Sequence, residues 1–210
     1  MLPEVTGFLF PNDVHILWSL MIVIYPYLTG IVAGAFIVSS LYHVFGRKEL
    51  RPVARLSMVA SLGFLIVAPL PLLFHLGHPE RAFNIMITPH FTSAMAAFGL
   101  VYSLYLILLL LEIWLVYRKD IILLAARSRG MKRWFFAALA LGVYDTSEEA
   151  LRIDRRAIIA LAAIGIPAAC ILHGYVGFMF GSVKANYWWS TPLMPVIFLF
   201  SAVTSGIAMI

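Results

Sequence analysis

Cysteine is nearly absent from this sequence: Cys170 is the only one in 210 residues. Without a second thiol the chain cannot form an internal disulfide, hold an iron–sulfur cluster or zinc ribbon on cysteines, or attach haem through a CxxCH motif. Charge is the next scarcity. Asp, Glu, Lys and Arg make up 12% of the chain against 62% hydrophobic residues, and the few charges are crowded together. No charged residue occurs from Val14 to Gly46, Leu56 to Pro79, Ala82 to Leu111, Ala157 to Val183 or Ala185 to Ile210, runs of 24 to 33 residues. A helix of roughly 20 apolar residues crosses a hydrocarbon core of about 30 Å, so each run is long enough to span. A soluble domain is excluded. A transmembrane β-barrel is excluded too, because its strands are short and alternate in polarity. The fold class is all-α, a polytopic transmembrane helical bundle.

The start, MLPEVTGFLFPND, lacks the positive region of a cleaved signal peptide, so the first run is expected to stay as a helix. Five spans are predicted: His15 to Phe45, Leu56 to Leu76, Thr92 to Tyr117, Ala157 to Gly181, and Leu193 to at least Ile210. Of the 15 Lys and Arg, four lie in the first connecting loop and nine in the third, from Arg118 to Arg156. Only Arg81 and Lys184 fall elsewhere. The positive-inside bias puts the N-terminus outside. It also accounts for the formal charge of +5 as topology, so no nucleic-acid partner is expected. The third loop, residues 118–156, is expected to carry an interfacial helix beginning at Met131, where MKRWFFAALALGV is basic and then apolar. Thr146 and Glu149 fit a capping box, and Glu148 with Arg152 an i,i+4 pair leading into the fourth span. The fifth span reaches Ile210 without a basic flank, and residues 1–210 are therefore expected to be a single transmembrane domain from a longer chain.

Five of the six histidines, all but His43, gather toward the outer half with Asn12, Asp13, Arg81, Tyr175, Lys184, Asn186, Trp188 and Trp189. An interfacial belt enriches Trp, Tyr and His in the same way. His173 stands apart, sixteen residues into its span and about 24 Å from the inner end, where an imidazole needs a partner or a ligand. Three chemistries could use such a cluster. Trans-membrane haem ligation needs a histidine pair near each face, and the inner half offers only His43; one outer haem between His75 and His173 is the form left open. An ion or solute carrier would use broken helices, for which Pro26, Pro69, Pro71, Pro167 and Pro195 are candidates, and buried charge. Glu112 is the sole carboxylate inside the spans, and snorkelling or pairing with Arg118 accounts for it. A quinone site needs an apolar slot, hydrogen-bond donors and a base near neutral pH, and it fits best. Asn12, His15, His173, Tyr175 and Lys184 supply those groups at one depth.

Several strings carry a resemblance: Asn12-Asp13-Val14-His15, HLGHPER from His75 to Arg81, HGYVGFMFGSVKAN from His173 to Asn186, and WSTPLMPVIFLFSAVTSG from Trp189 to Gly206. Their order and spacing resemble the NrfD/PsrC-type membrane subunits of prokaryotic redox complexes, over essentially the whole chain. Within that family the chain looks most similar to the DsrP-like subunits of sulfur metabolism, with the HybB-like branch as the other choice. The resemblance implies a multi-pass subunit of the prokaryotic cytoplasmic membrane, with eight to ten helices built on four-helix bundles. It holds no haem or iron–sulfur cluster of its own. It exchanges electrons between the quinone pool, menaquinone or ubiquinone, and an iron–sulfur, ferredoxin-like subunit on the outer face. Other membrane and soluble subunits complete such a complex, so the chain is not expected to be an enzyme alone.

The resemblance assigns Asn12 and His15 to the quinone pocket by their three-residue spacing, and Tyr175 as the tyrosine of the same pocket. His15 and His173 are the expected proton-accepting groups. Asn12, Tyr175 and Lys184 orient the head group, Trp188 or Trp189 lines the way in, and Arg81, in the outer loop beside the partner, is counted with the cofactor-binding residues. One departure matters: the family's Asp-Leu-Gly-x-Pro-x-Arg motif has His75 at its acidic position here, which leaves a proton-conducting role without its usual carboxylate. The competing readings are a structural membrane anchor without quinone chemistry, and the ion or solute carrier. The topology is directly testable. Single cysteines at Arg51 and Arg129 should resist an impermeant thiol reagent added from outside and react only when the inner face is opened; labelling from outside would reverse the orientation.

Overall fold

The computed structural model describes residues 19–90, 92–93, 95–184 and 186–210. Among these residues all regular structure is helical. The helices are α1 (Leu20–His43), α2 (Arg51–Val67), α3 (Pro69–His75), α4 (Asn84–Ile87), α5 (Ala96–Arg127), α6 (Gly130–Leu139), α7 (Glu148–Gly181) and α8 (Met194–Met209). Four stretches are long and apolar enough to cross a membrane: α1, the segment Lys48–His75 containing α2 and α3, α5 and α7. At 16 residues α8 is shorter. The bundle has a basic end, formed by residues 44–50 and 128–147, and an opposite end formed by residues 76–95 and 182–193.

The helices depart from the predicted spans for identifiable reasons. α5 runs on past Tyr117 to Arg127, and α7 begins at Glu148 rather than at Ala157, because charged residues end an apolar span without ending a helix. The second span is split at Ala68 and Pro69, since Pro69 and Pro71 have no amide to continue the ladder. Pro26 and Pro167, by contrast, lie inside continuous helices, and Pro195 occupies the tolerated first turn of α8. Within residues 118–156 a short helix forms where one was expected, α6, tied to α5 by Trp114 Nε1 donating to the Leu139 carbonyl at 2.8 Å. The cap of α7 is Ser147, whose hydroxyl accepts from the Ala150 amide at 3.3 Å, and not Thr146. The Ser147 amide in turn donates to Asp145 at 2.8 Å, which holds that carboxyl below its ordinary range.

α1 is the centre. It packs against α2, α3, α7 and α8, and 61% of its apolar window is buried against 28% in each of the other three spans. Its crossing with α8 is a backbone contact. A Cβ added at Gly34 would overlap the Ala202 carbonyl and stand 2.7 Å from Gly206 Cα, while one at Gly206 would overlap the Gly34 backbone. Gly30-Ile31-Val32-Ala33-Gly34 faces Ala202 and Gly206, a small-residue spacing on each helix that lets the axes approach. α7 contributes a matching ridge: Gly165, Ala169, His173, Gly177 and Gly181 recur every four residues in an inclined row that winds from Phe36 of α1 at Gly165 to Pro195 of α8 at Gly177. On this ridge a Cβ at Gly165 would overlap the Phe36 ring, and one at Gly177 would lie 2.7 Å from Pro195 Cα. Phe36, Leu65, Tyr105, Leu109 and Leu172 form the core where these helices meet.

Two ion pairs staple the basic end. Arg55 bonds Asp120 at 2.5 Å and lies 4.8 Å over the Tyr117 ring, and Arg118 bonds Asp154 at 2.5 Å between α5 and α7. The expected Glu112 pairing with Arg118 is therefore overturned: Arg118 stands six residues on, roughly 240° around the helix, and is committed to Asp154. Snorkelling is overturned as well, because Glu112 is 1% exposed. A Gly34→Ala substitution tests the crossing. It should cost roughly 1–3 kcal/mol or more by forcing backbone apart, whereas Gly63→Ala, which meets nothing within 4 Å, should be neutral or stabilising; the Tm of the purified complex reads both.

Candidate functional site

Eight residues from the end of α7, about 12 Å along the helix, His173 is 2% exposed at the junction of α1, α7 and α8. Its Nδ1 lies 3.3 Å from Thr29 Oγ1. The Thr29 hydroxyl is also within reach of the Tyr25 and Pro26 carbonyls, at 3.2 and 3.1 Å, so it stays anchored to its own helix while it meets the imidazole. The backbone of Phe198 is a second hydrogen-bonding partner of the ring. Both edges of the imidazole thus have a polar neighbour inside an otherwise apolar layer. Gly30 makes the space: a Cβ there would stand 3.2 Å from His173 Cε1, 3.3 Å from Nε2 and 3.5 Å from Ser205 Oγ.

From His173 a line of aromatic rings leads to the end of the bundle. His173 lies 5.6 Å from Phe198, Phe198 5.3 Å from Phe180, and Phe180 5.5 Å from Trp189. Trp189 caps a cluster with Ile22, Tyr25, Val176 and Met194. Beside it the segment between α7 and α8 borders an open cavity of about 370 Å³, walled by Phe178 and Pro195 and carrying Ser182, Lys184, Ser190 and Thr191 as polar groups. Phe178 ties this cavity to Tyr175, whose ring lies 5.6 Å away and which meets the backbone at Ala97 on α5.

The expected residues sort accordingly. His173, Tyr175, Lys184 and Trp189 gather around the end of α7 and the start of α8. Trp188, 90% exposed, projects away from the bundle. Arg81 sits in an exposed 3-10 turn between α3 and α4, next to the His78 and Glu80 pair at 3.0 Å, and is not brought to the cavity. His75 meets Ser19 at 3.3 Å, away from the Thr29 contact of His173. Asn12 and His15 lie outside the described residues. Sequence reasoning missed Thr29, Gly30, Phe198 and Ser205. The signal was the four-residue spacing of Gly30 with Gly34, and of His173 within the ridge on α7, which marks the faces that must touch.

A family model described as "Polysulphide reductase, NrfD" matches residues 11–210. The chain belongs to the NrfD family. With its apolar spans it is an integral membrane protein. It is 32% identical over 197 residues to a selenate reductase subunit of Mesobacillus selenatarsenatis, covering 91% of this chain and 46% of that protein. It is 32% identical over 194 residues to a putative dimethyl sulfoxide reductase membrane subunit of Halobacterium salinarum, covering 92% and 42%. Protein NrfD of Escherichia coli is 28% identical over 197 residues, covering 92% and 58%. This NrfD-family chain thus spans about half the length of the curated relatives it matches.

The packing of His173 against Gly30 yields a double-variant test. Gly30→Ala should destabilise the assembled complex, less than Gly34→Ala because it meets a side chain rather than backbone. His173→Ala in the same chain should relieve the clash. The coupling, measured by thermal unfolding, should be of order 0.5–3 kcal/mol; additive effects would mean that Gly30 does not make room for the ring.

Proposed function

We propose that this chain is a quinone-interacting membrane subunit of a prokaryotic respiratory redox complex, exchanging electrons between the quinone pool and an iron–sulfur partner. The observation that carries the reading is the buried His173, held by Thr29 and joined through Phe198, Phe180 and Trp189 to the cavity of Lys184. The cavity suits a quinone head group in its chemistry, with apolar walls and a cation and hydroxyls able to donate to carbonyl oxygens. Bound quinol supplies two electrons and two protons. Lys184, Ser190 and Thr191 bind and orient at the cavity, with Tyr175 at its edge and Asn12 and His15 as the further residues that the family resemblance suggests. His173 lies three rings below the cavity, out of direct hydrogen-bond reach of a head group there, so it takes one of the two protons by relay through water, and His15 is the group that the family resemblance suggests for the other. Thr29 Oγ1 and the Phe198 backbone give each N–H of the resulting imidazolium a partner, so protonation leaves no orphaned donor.

The electrons have to leave the chain. Its single cysteine cannot hold a cluster, so an iron–sulfur subunit must accept or supply them. Relatives named as subunits of selenate and dimethyl sulfoxide reductases support a place in such a complex. The concentration of Lys and Arg at one end supports an N-terminus outside, with the His173 end facing outward and the basic end in the cytoplasm of a prokaryotic cell. The partner then docks on the outer face.

In the assembled complex, His173→Gln should lower quinol-driven electron transfer by roughly 10²–10⁴-fold, the range for a lost general base, with the quinone content unchanged. Full turnover in that variant would refute the assignment of His173. Quinone missing from the purified wild-type complex, with its turnover intact on partner-borne electrons alone, would make the chain a structural anchor.

A further inference from the structure

Among the described residues, the buried side-chain polar atoms without a hydrogen-bond partner are Ser39 Oγ, His43 Nε2 and both carboxylate oxygens of Glu112. They are not scattered. Ser39 and His43 are one turn apart on one face of α1, and Glu112 is one turn before Val116 on α5. His43 and Val116 line the same cavity, of about 150 Å³, with Tyr42, Arg51, Arg55 and Arg155 around it. Both helices run toward the basic end, so Ser39 and Glu112 each stand one turn deeper in the bundle than the cavity wall. The orphaned groups thus occupy two levels, His43 at the wall of a polar opening and Ser39 and Glu112 one turn deeper on their own helices.

Glu112, at the deeper level, is closed off from solvent. An unaccompanied carboxylate costs several kcal/mol in such a place, so its charge has to be met by something that arrives. Arginine does not meet it: Arg118 is held by Asp154, and Arg55 by Asp120. The donor set does not suit a metal ion either, since among the described residues no group of three His, Cys, Asp or Glu comes together. The remaining visitor is a proton. The titratable and charged groups facing this region are Tyr42 and His43 from α1, Arg51 and Arg55 from α2, Arg155 and Cys170 from α7, and Tyr105 on α5 itself. Contact between α5 and α6 runs through Trp114 and the Leu139 carbonyl, neither of them titratable.

Beyond Glu112 the polar trail continues for one step. Tyr105 is electrostatically coupled to Glu112 and places its hydroxyl 3.5 Å from Ser61 Oγ, which donates to the Val32 carbonyl at 3.0 Å. Leu109, Leu172 and Phe36, each 0% exposed, close the core around it. We propose that the basic half of the bundle is a one-sided proton inlet, in which the cavity at His43 admits water and Glu112 receives a proton from the aqueous phase at the basic end. The step is a bare transfer, from hydronium through water to the carboxylate, and it needs no oxidant or reductant. It rests on the orphaned groups and the cavity, and stands or falls separately from the quinone reading.

The test uses the full complex reconstituted in vesicles with the basic loops on a known side, followed by infrared difference spectroscopy during a pH step on one side at a time. A step on the basic side should raise a deuterium-sensitive carboxyl carbonyl band, and a step on the opposite side should not. The band should vanish in Glu112→Gln, which is nearly isosteric, and shift in Glu112→Asp, which carries the test if the glutamine variant fails to assemble. His43→Phe, which fills the cavity, should slow the appearance of the band at least tenfold. No Glu112-dependent band, a band that answers to the opposite side, or an unchanged rate in His43→Phe would each overturn the inlet.

Discussion

The backbone contact between Gly34 and Gly206 is the constraint on which the rest of this bundle depends. In lipid there is no hydrophobic force to bring one helix to another, and close approach of small residues, with the dispersion contacts it allows, does that work. Because α1 and α8 meet at backbone distance, Phe198 and Ser205 on α8 are brought to the level of Gly30, and α7 can fill the angle between the two helices. His173 is the one bulky member of a ridge made otherwise of Gly and Ala. It fits because Gly30, one turn before Gly34, gives way to it. The site is thus a by-product of how three helices solve their packing problem, and its polar partners are those that lie at the same height on α1 and α8.

How much of this could be read from the amino acids depends on what each residue answers to. Four of the five spans were legible, because a run without charge has few other homes; the fifth appears as the shorter helix α8. The ends were not: the stretch Glu148 to Arg156 is too polar for a membrane but entirely suited to a helix, and α7 absorbs it. The depth of His173 was legible too, yet its partner was not, since depth does not say which helices touch. Glu112 shows the opposite failure. A nearby arginine in sequence suggested a pair, but a separation of six residues turns the two side chains to different sides, and Asp154 on α7 is the neighbour that Arg118 meets. Arg81 was grouped with the outer cluster by depth alone, and lies on an exposed turn instead.

The two ends of the bundle are built on different chemistry. Around Trp189 the contacts are ring against ring, with polar groups confined to the wall of one cavity. At the basic end, ionic contacts join neighbouring helices pairwise: α2 to α5 through Arg55 and Asp120, and α5 to α7 through Arg118 and Asp154. The second pair is only 13% exposed on each side, so it is shielded from salt and holds geometry better than an open surface pair.

The ridge on α7 repeats itself every four residues, and a repeating surface does not know its own phase. Its members are unlike, however: sliding α7 by one turn, about 5.4 Å, would put Ala169 at the place of Gly165, against Phe36, or, the other way, His173 at the place of Gly177, against Pro195. Two unlike clamps some nineteen residues apart add to that indexing: the ion pair of Asp154 with Arg118 and the bond of His173 to Thr29. Between them α7 is an unbroken rod, despite Pro167. A disturbance that loosened the clamp at one end would therefore be felt at the other as a change of alignment, transmitted by stiffness alone.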